Sequence, residues 1–409
     1  RLPAGTLIED LGLAGYARVK LPENQVSAFN TKSILNMPGV LHMEKNGVIR
    51  LYENFKVTDA KIRAAIEAKF KAPGGGMGDT PPPDNPAISM TGSGGSGADS
   101  LFNKQWGMNQ IGVQSGWSKT KGNPEVVVAV IDTGVDYNHE DLVDNMWRNP
   151  GEMGTDSQGR NKATNGVDDD KNGYVDDIVG WDFVSNDNKP YDLTASMMDM
   201  LLSGGNPGHG THCAGNVAAR SDNGKGIAGV APNVKIMAIR FISEKGQGTT
   251  ADAIKSLKYA MSMGVKVTSN SWGSEGDGGP NDPETKALKE AIAELERNGV
   301  LFIAAAGNGR QGVGYDNDGD SKPAYPASYD FDNIISVAAI AEDGNLGSFS
   351  NWGRRTVDLG APGVKVFSTI TLSEKYSDTV IDIPGLITAT WDGTSMATPH
   401  VAGAAALYW

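Results

Sequence analysis

The chain has 409 residues, a formal net charge of -13 and a single cysteine. This length is enough to bury a sizeable core in one large domain or in two or three smaller ones. The acidic balance argues against a nucleic-acid partner, which needs a concentrated basic surface, and one cysteine excludes an intrachain disulfide. No apolar run in the sequence approaches the roughly 20 residues that a membrane-spanning helix needs.

Residues 1–71 predict a small α+β unit. Short apolar runs at 16–21 and 40–44 flank a helical stretch, and residues 58–70 carry apolar side chains at helical spacing. Residues 72–98 are rich in Gly, Pro and Ser, a composition typical of a linker because it cannot build a core. We therefore expect a domain boundary in this stretch.

Residues 99–409 show a different pattern, in which apolar strands alternate with amphipathic helices. Helices are predicted at 250–263 and 283–297, the second with Asp282 as N-cap and Pro283 in its first turn. Strands that are apolar on both faces belong to a parallel sheet covered on both sides. The pattern therefore predicts an α/β domain with a doubly wound, mostly parallel sheet, whose sites lie at the carboxyl ends of the strands. The predicted strands are residues 126–131, 234–242, 265–268, 300–305 and 334–338.

Asp132 follows the first of these strands directly, in the sequence Asp-Thr-Gly. That tripeptide is also the signature of aspartic proteases, which need a second Asp-Thr/Ser-Gly to supply the other carboxylate. The chain contains no second copy. The sequence therefore disfavours a single-chain aspartic protease.

His209 lies in a glycine-rich segment, GHGTHCAG, at the start of an apolar helical stretch. His209 and His212 could form a zinc-binding pair, but metalloprotease helices space their histidines four apart with a Glu between them. Here the spacing is three and no Glu intervenes. Zinc is therefore the less favoured interpretation of this motif.

Two further candidates follow in chain order. Asn308 comes after the strand at 300–305, either as an ordinary turn residue or as an amide that donates to an oxyanion. Ser395 lies in GTSMATPHVAG, either as the N-cap of a helix or as a nucleophile that benefits from the positive helix end. Together with Asp132 and His209 it favours the nucleophile, because a catalytic triad needs a nucleophile, a base and a carboxylate that orients the base.

The chain order of these candidates disfavours the α/β-hydrolase fold. In α/β-hydrolases the nucleophile stands in Gly-x-Ser-x-Gly and precedes its Asp and His. Ser395 stands in Gly-x-Ser-x-Ala and follows both partners. The order Asp, His, Ser is that of subtilisin.

Four segments, IDTGVDYNHEDL, GHGTHCAG, AAAGNG and GTSMATPHVAG, resemble the motifs of the subtilisin family and occur in the same order. The resemblance spans roughly residues 99–409 and implies a serine endopeptidase that acts on protein or peptide substrates. It implies Asp132 as the orienting carboxylate, His209 as general base and acid, and Ser395 as the nucleophile. Asn308 would donate to the oxyanion.

In the same family an extended substrate lies between two strand segments, and such main-chain pairing favours unfolded or loop segments of a substrate. The resemblance also extends to Cys213, which is similar to the cysteine of the proteinase K-like branch, with packing in the core as its alternative role. The residues that match the two strand segments are Gly246, Gln247, Gly248, Ser271, Trp272 and Gly273.

An acidic segment, DDDKNGYVDD, contains the D-x-D-x-N-G pattern of an EF-hand-like loop. We expect it to bind Ca²⁺, although position twelve of the loop carries Val179 instead of the usual bidentate Glu. A solvated acidic loop is the alternative. The predicted ligands are Asp168, Asp170 and Asn172, with Asp176 or Asp177 closing the coordination shell.

Two other groups of residues are calcium candidates. Bound calcium would stabilise the native state by mass action. The resemblance implies a site formed by Asp99, Asp141 and Asn223, and a weaker third candidate is the acidic run Asp316, Asp318 and Asp320.

Residues 15–46 resemble the second half of a subtilisin propeptide, a segment that in the family assists folding and blocks the cleft. Trp409 follows Ser395 closely, where the family fold continues, so both ends look cut and the remaining segments could be separate chains. We expect a secreted, extracellular or periplasmic, calcium-stabilised serine endopeptidase, made as a precursor that matures within roughly residues 53–98. The alternative is an inactive or propeptide-inhibited calcium-binding scaffold that retains the motifs.

Overall fold

A computed structural model gives the fold and describes residues 2, 5–23, 32–52, 64, 98–192, 208–276, 286–370 and 390–409. The strands are β1 (Leu7–Asp10), β2 (Ala17–Lys20), β3 (Val48–Arg50), β4 (Val127–Asp132), β5 (Gly180–Asp182), β6 (Lys235–Arg240), β7 (Gln247–Thr249), β8 (Val267–Asn270), β9 (Ser274–Glu275), β10 (Leu301–Ala305), β11 (Ala324–Tyr325), β12 (Ile334–Ile340), β13 (Leu359–Pro362), β14 (Val366–Phe367) and β15 (Thr390–Trp391). The α-helices are α1 (Lys32–Leu35), α2 (Trp106–Gln110), α3 (Val113–Trp117), α4 (His209–Ala218), α5 (Thr250–Ser262), α6 (Lys286–Arg297) and α7 (Thr394–Ala406). Short 3-10 helices lie at Phe102–Lys104, Val143–Asn145, Pro150–Glu152 and Lys162–Thr164.

Seven of the strands form one parallel sheet, in the order β13-β12-β10-β8-β4-β6-β5. β4 lies inside this sheet, and its sequence VVAVID is apolar on both faces until the final residue. The chain adds β5 and β6 on one side of β4, and β8, β10, β12 and β13 on the other. This is the doubly wound α/β arrangement, so the predicted fold class is confirmed.

Each face of the sheet carries its own hydrophobic layer. Val128 and Val130 of β4 pack in a cluster that includes residues of α4 and α7. The alternate residues Ala129 and Ile131 pack in a second cluster, which includes residues of α5 and α6. Helices α4 and α7 also pack directly against each other, so their N-terminal turns lie on one face of the sheet.

The ends of the helices follow local chemistry. The side chain of Thr249 caps α5 by accepting a hydrogen bond from the amide of Asp252, 3.2 Å away. The amide of Val265 still bonds to the carbonyl of Ala260 at the other end of this helix. For this reason β8 begins at Val267, two residues later than the sequence predicts. The predicted start of α6, at Asp282 and Pro283, lies outside the described residues.

The described residues up to Tyr52, called the N-terminal segment below, pack on the α/β domain. β1 pairs antiparallel with β2, and β3 pairs antiparallel with β7 of the α/β domain. The apolar run at 40–44 forms no strand in the described chain, and the side chain of Glu44 instead accepts hydrogen bonds from amides at the start of α6. The predicted helix at 58–70 and the linker lie outside the described residues, apart from residues 64 and 98. The division into three parts therefore remains a prediction.

Candidate active site

Asp132 and His209 meet in the buried interior at the carboxyl end of the sheet. Asp132 is the last residue of β4, and its Oδ1 accepts hydrogen bonds from Nδ1 of His209 at 2.7 Å and from the amide of Thr133 at 2.7 Å. Burial alone would lower the pKa of His209, but the negative charge of Asp132 prevails and holds this pKa well above its usual value. The bond places the proton on Nδ1, which leaves Nε2 as the atom that can accept one.

Ser395 lies in the first turn of α7, after Thr394. The N-cap of this helix is Gly393, and the hydroxyl of Ser395 donates to the carbonyl of Ser271 at 3.4 Å. Ser395 is therefore not the N-cap, and the capping alternative is wrong. Its position in the first turn exposes it to the backbone N–H groups and the positive end of the helix dipole.

Asn308 contacts the residue that precedes Ser395. Its Oδ1 accepts hydrogen bonds from both the amide and the hydroxyl of Thr394, each at 2.8 Å. Because the oxygen is committed to Thr394, the Nδ2 group is the part of the side chain that can donate to an oxyanion. An ordinary turn residue would have no need of these contacts to the start of α7.

Cys213 joins α4, α7 and the end of β8. Its Sγ lies 4.0 Å from Nδ1 of His209, 3.5 Å from the carbonyl oxygen of Ser395 and 3.6 Å from Oγ of Ser271. The residue is fully buried, and burial raises the pKa of its thiol. Cys213 therefore packs between the catalytic candidates as a neutral thiol.

His212, the second histidine of the alternative zinc pair, has other partners. Nε2 of His212 lies 3.2 Å from the carbonyl oxygen of Val366, and its Nδ1 lies 3.4 Å from Nδ2 of Asn216. The imidazole also stacks on Trp391, with 4.5 Å between ring centroids. These contacts direct both ring nitrogens away from a metal shared with His209, so the structure does not support a zinc pair.

A buried carboxylate behind Asp132 was not identified from the sequence. Asp192 accepts hydrogen bonds from the hydroxyls of Thr133 and Thr211, at 2.5 and 2.6 Å. The hydroxyl of Thr133 in turn accepts from the amide of Gly210, next to His209. Asp192 thus ties the turn after β4 to the start of α4. The threonines in IDTG and HGTH are the sequence signal that could have indicated a shared partner.

The two predicted substrate segments flank β3. On one side β3 pairs with β7, and the amide of Leu51 donates to the carbonyl of Gly246 at 3.1 Å. On the other side Arg50 and Gly273 exchange two backbone hydrogen bonds, at 2.9 and 3.1 Å. The N-terminal segment therefore lies as the middle strand of three, in the place where the family resemblance puts an extended substrate.

Trp272 differs from the other predicted substrate residues. Its side chain is fully buried and packs edge to face against Phe241 and Phe302, with centroids 5.0 and 5.9 Å apart. The indole fills the core beneath the cleft and does not line it. Any contribution of Trp272 to substrate binding would come from its backbone.

The acidic loop converges on a carboxylate that the sequence did not indicate. Glu152, Asp170 and Asp177 offer oxygens that all lie within 4.8 Å of one another. Glu152 is fully buried, its Oε1 accepts from the amide of Asp169 at 2.8 Å, and its Oε2 has no hydrogen-bond partner among the described residues. Burial, together with the nearby charges of Asp177 and Asp170, raises the pKa of Glu152 to about 7. Three converging acids of this kind fit a hard cation that takes oxygen ligands.

The structure brings only part of the predicted ligand set of this loop into the converging group. Asp168 binds the amides of Asn172 and Gly173, at 3.1 and 2.8 Å, and Asp176 binds the amide of Gly166 at 3.0 Å. Both carboxylates thus stabilise turns and are not members of the converging group. Of the two candidates for closing the shell, the structure brings in Asp177.

Asn149 and Asn172 complete the surroundings of the converging acids. Nδ2 of Asn149 lies 2.9 Å from Asp170 and 2.6 Å from Asp177, and Nδ2 of Asn172 lies 2.9 Å from Asp177. The hydroxyl of Tyr259 donates to Asp177 at 2.6 Å. These donors hold the carboxylates in place around Glu152.

The structure brings the second set of calcium candidates together. Nδ2 of Asn223 donates to Asp141 at 2.6 Å, and the amide of Asn223 donates to Asp99 at 3.3 Å. Asp141 is fully buried and its other oxygen accepts from the amide of Ile227 at 2.9 Å.

The third acidic run has other partners. Asp320 pairs with Arg310 at 2.8 Å. Asp318 accepts from the hydroxyl of Thr356 at 2.7 Å and lies 3.6 Å from Arg355. Two of its three carboxylates therefore already have cationic partners, and a calcium site at this run stays a prediction.

The class of protein follows from the fold, the site and one sequence comparison. The sequence model of the subtilase family matches residues 123–409. This range contains the parallel sheet together with Asp132, His209, Asn308 and Ser395. The chain belongs to the subtilase family.

Its relatives include several named proteinases. The chain is 36% identical over 319 residues to a thermophilic serine proteinase of Bacillus sp. (strain AK1), covering 75% of this chain and 61% of that protein. It is 33% identical over 305 residues to thermitase of Thermoactinomyces vulgaris, covering 74% of this chain and 81% of that protein. Similarity to fervidolysin of Fervidobacterium pennivorans, at 31% identity, covers 98% of this chain and 52% of that protein. The chain thus spans about 61% of the first of these relatives.

Membrane-spanning helices were not expected from the sequence. Within the part of the chain that the structure describes, no helix has the length and apolar character needed to cross a bilayer.

Proposed function

We propose that this chain is a serine endopeptidase in which Ser395, His209 and Asp132 act as a catalytic triad. The observation that carries the proposal is the 2.7 Å hydrogen bond between Asp132 and Nδ1 of His209, at the start of a helix that packs against the helix of Ser395. Membership of the subtilase family, whose relatives include serine proteinases, supports the same activity.

The proposed chemistry uses each of these groups in turn. Ser395 Oγ attacks the carbonyl carbon of the scissile bond and transfers its proton to Nε2 of His209. Asp132 holds the imidazole in the required tautomer and stabilises its positive charge. The negative oxygen that forms is bound by Nδ2 of Asn308 and by the backbone N–H groups at the start of α7. His209 then gives the proton to the departing amine.

The substrate would bind as an extended strand. Gly246 and Gly273 offer backbone groups on opposite sides of β3, and a substrate segment in the same place would make the same hydrogen bonds. Main-chain pairing demands that the substrate be extended along several residues. We therefore propose unfolded or loop segments of proteins, and peptides, as the substrates.

The N-terminal segment is proposed to act as a propeptide that covers this cleft. Glu44 accepts from the amides of Lys286 and Ala287 at the start of α6, at 3.2 and 2.9 Å. Asn46 accepts from the amide of Ala251 at the start of α5, at 2.9 Å. The segment therefore satisfies amides at the starts of two helices of the α/β domain while β3 lies in the cleft.

A charged network adds to this docking. Arg18 bonds to both Glu9 and Asp252, at 2.6 and 3.0 Å, and Lys255 bonds to Glu9 at 2.7 Å. Each partly exposed pair is worth only about 0–1 kcal/mol, so the network contributes orientation more than affinity. We propose that the backbone pairing of β3 and the capping of α5 and α6 contribute most of the attachment.

We propose that the chain binds Ca²⁺ at two groups of residues. Glu152, Asp170 and Asp177 would hold one ion, and Asp99, Asp141 and Asn223 would contribute to another. The ion would neutralise the converging carboxylates. It would thereby hold together loops whose negative charges otherwise repel each other. In the first group, Oε2 of the fully buried Glu152, which has no hydrogen-bond partner among the described residues, is the atom that supports the assignment.

We also propose that the protein is a precursor that acts outside the cytoplasm, in an extracellular or periplasmic space. The support is the family resemblance, together with the N-terminal segment that lies in the cleft.

A second candidate function is an inhibited scaffold that keeps the motifs without turnover. The observation that favours it is that Asp132, His209 and Ser395 are all fully buried while β3 lies in the cleft. The two candidate functions differ in whether β3 of the N-terminal segment can leave the cleft.

Degradation of casein tests the choice between them. We expect the purified chain, incubated with calcium, to degrade casein, and the Ser395→Ala variant to leave it intact. The matched control is Ser348→Ala, which removes a hydroxyl from an exposed serine and should leave the activity unchanged. Casein left intact by the wild-type chain, even after the N-terminal segment has been removed by limited trypsin treatment, would favour the scaffold.

A further inference from the structure

The start of α4, the helix that carries His209, has no side-chain cap at its own N-cap position. His209 is the first residue of this ten-residue helix, and the residue at the N-cap is Gly208. The amides of the first turn therefore need acceptors from elsewhere in the chain. The positive end of the helix dipole also lies beside the imidazole, where it disfavours the imidazolium ion that forms during catalysis.

Asp192 supplies these acceptors from outside the helix. Its Oδ2 accepts from the amide and the hydroxyl of Thr211, at 2.8 and 2.6 Å, and its Oδ1 accepts from the hydroxyl of Thr133 at 2.5 Å. The same hydroxyl of Thr133 accepts from the amide of Gly210 at 2.9 Å. One carboxylate therefore satisfies two amides of the first turn of α4, one directly and one through Thr133.

Thr133 also connects Asp192 to the acid of the triad. The amide of Thr133 donates to Oδ1 of Asp132, the same oxygen that accepts from Nδ1 of His209, and both distances are 2.7 Å. Asp132 ends β4 and His209 begins α4, so their relative position depends on what joins these two elements. Asp192 joins them, since one of its oxygens contacts Thr133 and the other contacts Thr211.

Asp192 carries its charge in the buried interior, where it is only 4% exposed. Burial raises the pKa of Asp192 to about 6, although the hydrogen bonds from Thr133 and Thr211 act in the opposite direction. The carboxyl is therefore ionised at a pH above 6.5, where His209 is expected to titrate. The titratable groups next to Asp192 and His209 are Asp132, Asp136, Tyr137, Tyr191 and Cys213.

We propose that Asp192 is a positioning residue of the triad, which caps α4 so that Nδ1 of His209 faces Asp132 and whose negative charge offsets the positive helix end and keeps His209 basic. This inference rests on the proposed endopeptidase function. Asp192 acts through Thr133, through Thr211 and through the electric field at the start of α4, and it exchanges no proton in the reaction.

The Asp192→Asn variant tests the role of the charge. The amide keeps the size of the side chain and an oxygen that can accept from Thr211, but it removes the negative charge. The assay uses the processed protein, from which the N-terminal segment has been removed, and a chromogenic peptide anilide. We expect kcat to fall by about tenfold with KM almost unchanged, and the acid limb of kcat/KM to move to lower pH by about 0.5 or more.

The acid limb is the decisive readout for Asp192→Asn. A merely structural role would lower kcat without moving the acid limb, so an acid limb at the wild-type pH, or at a higher pH, would overturn the inference. Asp343→Asn is the matched control, because it removes the same charge from an exposed position and should leave both kcat and the acid limb unchanged.

Two variants of Thr133 test the geometry without changing the charge. Thr133→Ser keeps the hydroxyl between Asp192 and the amide of Gly210, and its kcat should stay close to the wild-type value. Thr133→Val removes this hydroxyl and should lower kcat by about tenfold. Equal kcat in the two variants would overturn the inference. This pair decides the matter if Asp192→Asn does not fold, which its thermal midpoint shows.

Fluorophosphonate labelling separates the two levels of failure. Labelling of Ser395 in the wild-type protein, together with Asp192→Asn and Thr133→Val variants that match the wild type in kcat and in the acid limb, would overturn the inference and leave the endopeptidase standing. No labelling and no casein degradation by the wild-type protein would overturn the proposed function itself.

Discussion

The Asp132–His209 pair shows how a single residue position sets the chemistry of the site. A carboxylate at the end of a buried apolar strand is placed where the imidazole of His209 and the next backbone amide reach the same oxygen, each at 2.7 Å. The sequence indicated both residues because each directly follows or begins a strongly patterned element. The threonines Thr133 and Thr211 could have indicated a shared partner, but no local pattern marks Asp192 as that partner, since it is 59 and 19 residues away from them in the sequence.

Asp132→Asn should lower kcat by about 10⁴-fold, because the amide would favour the wrong tautomer of His209 while leaving the shape of the site intact. Peptide hydrolysis by the processed protein measures the effect, with the exposed Asp343→Asn as the matched control. A loss of less than about tenfold would mean that Asp132 does not orient the base.

The raised pKa of His209 predicts the acid limb of the activity profile. General-base catalysis needs the neutral imidazole, and Asp132 holds the proton on His209 to a pH above its ordinary value of 6.5. Activity should therefore be lost as the pH falls through a value above 6.5. A profile of kcat/KM against pH reports this group in the free enzyme, and a midpoint below about 6 would contradict the assignment.

Glu152→Gln should weaken calcium binding by at least about tenfold, since it removes one of three converging charges but keeps the size of the side chain. Titration with calcium, followed by the thermal midpoint of the Ser395→Ala protein, measures the change. Glu342→Gln is the matched control, because that acid lies on an exposed turn after β12. Equal calcium dependence in both variants would exclude Glu152 as a ligand.

At the scale of elements, the sequence predicted the sheet and its helices well but not their contacts with the N-terminal segment. Continuous apolar runs bounded by turn residues are a strong signal for buried parallel strands, and β4, β10 and β12 lie where those runs occur. β3 has no such signal, because its three residues gain their hydrogen bonds from β7 and Gly273 of the distant domain. Pairing across such a separation in sequence leaves no local pattern.

Glu44→Ala should loosen the N-terminal segment, because the amides at the start of α6 would lose their acceptor. The loss of a cap costs about 1 kcal/mol, which corresponds to roughly a fivefold higher rate of fluorophosphonate labelling if β3 must leave the cleft first. Lys20→Ala on the exposed strand β2 is the control. A labelling rate that does not rise in Glu44→Ala would show that this cap does not hold the segment on the domain.

At the scale of the whole molecule, the calcium candidates and the cleft both join segments that are far apart in the sequence. The loop pattern predicted Asp170 and Asp177, but Glu152 comes from a 3-10 helix outside that loop. An EF-hand template looks for its last carboxylate at a fixed spacing, whereas the fold supplies it through space. Sequence patterns therefore identified the centre of this group and missed the residue that completes it.

Removal of calcium should lower the stability of the whole domain. An ion present at about 100 times its dissociation constant stabilises the folded state by about 2.7 kcal/mol, which corresponds to a shift of the thermal midpoint by about 3–4 °C for a domain of this size. Calorimetry of the Ser395→Ala protein, with calcium and with a chelator, measures this shift without self-digestion. The same midpoint in both conditions would contradict the calcium proposal.

Activation of Ser395 by His209 is tested most directly by locating the fluorophosphonate adduct after prolonged incubation of the processed protein with excess probe. We expect one adduct per chain, on Ser395, and its loss in His209→Ala over the same period. Adducts spread over other serines, or equal labelling of Ser395 in His209→Ala, would show that Ser395 is not activated by His209.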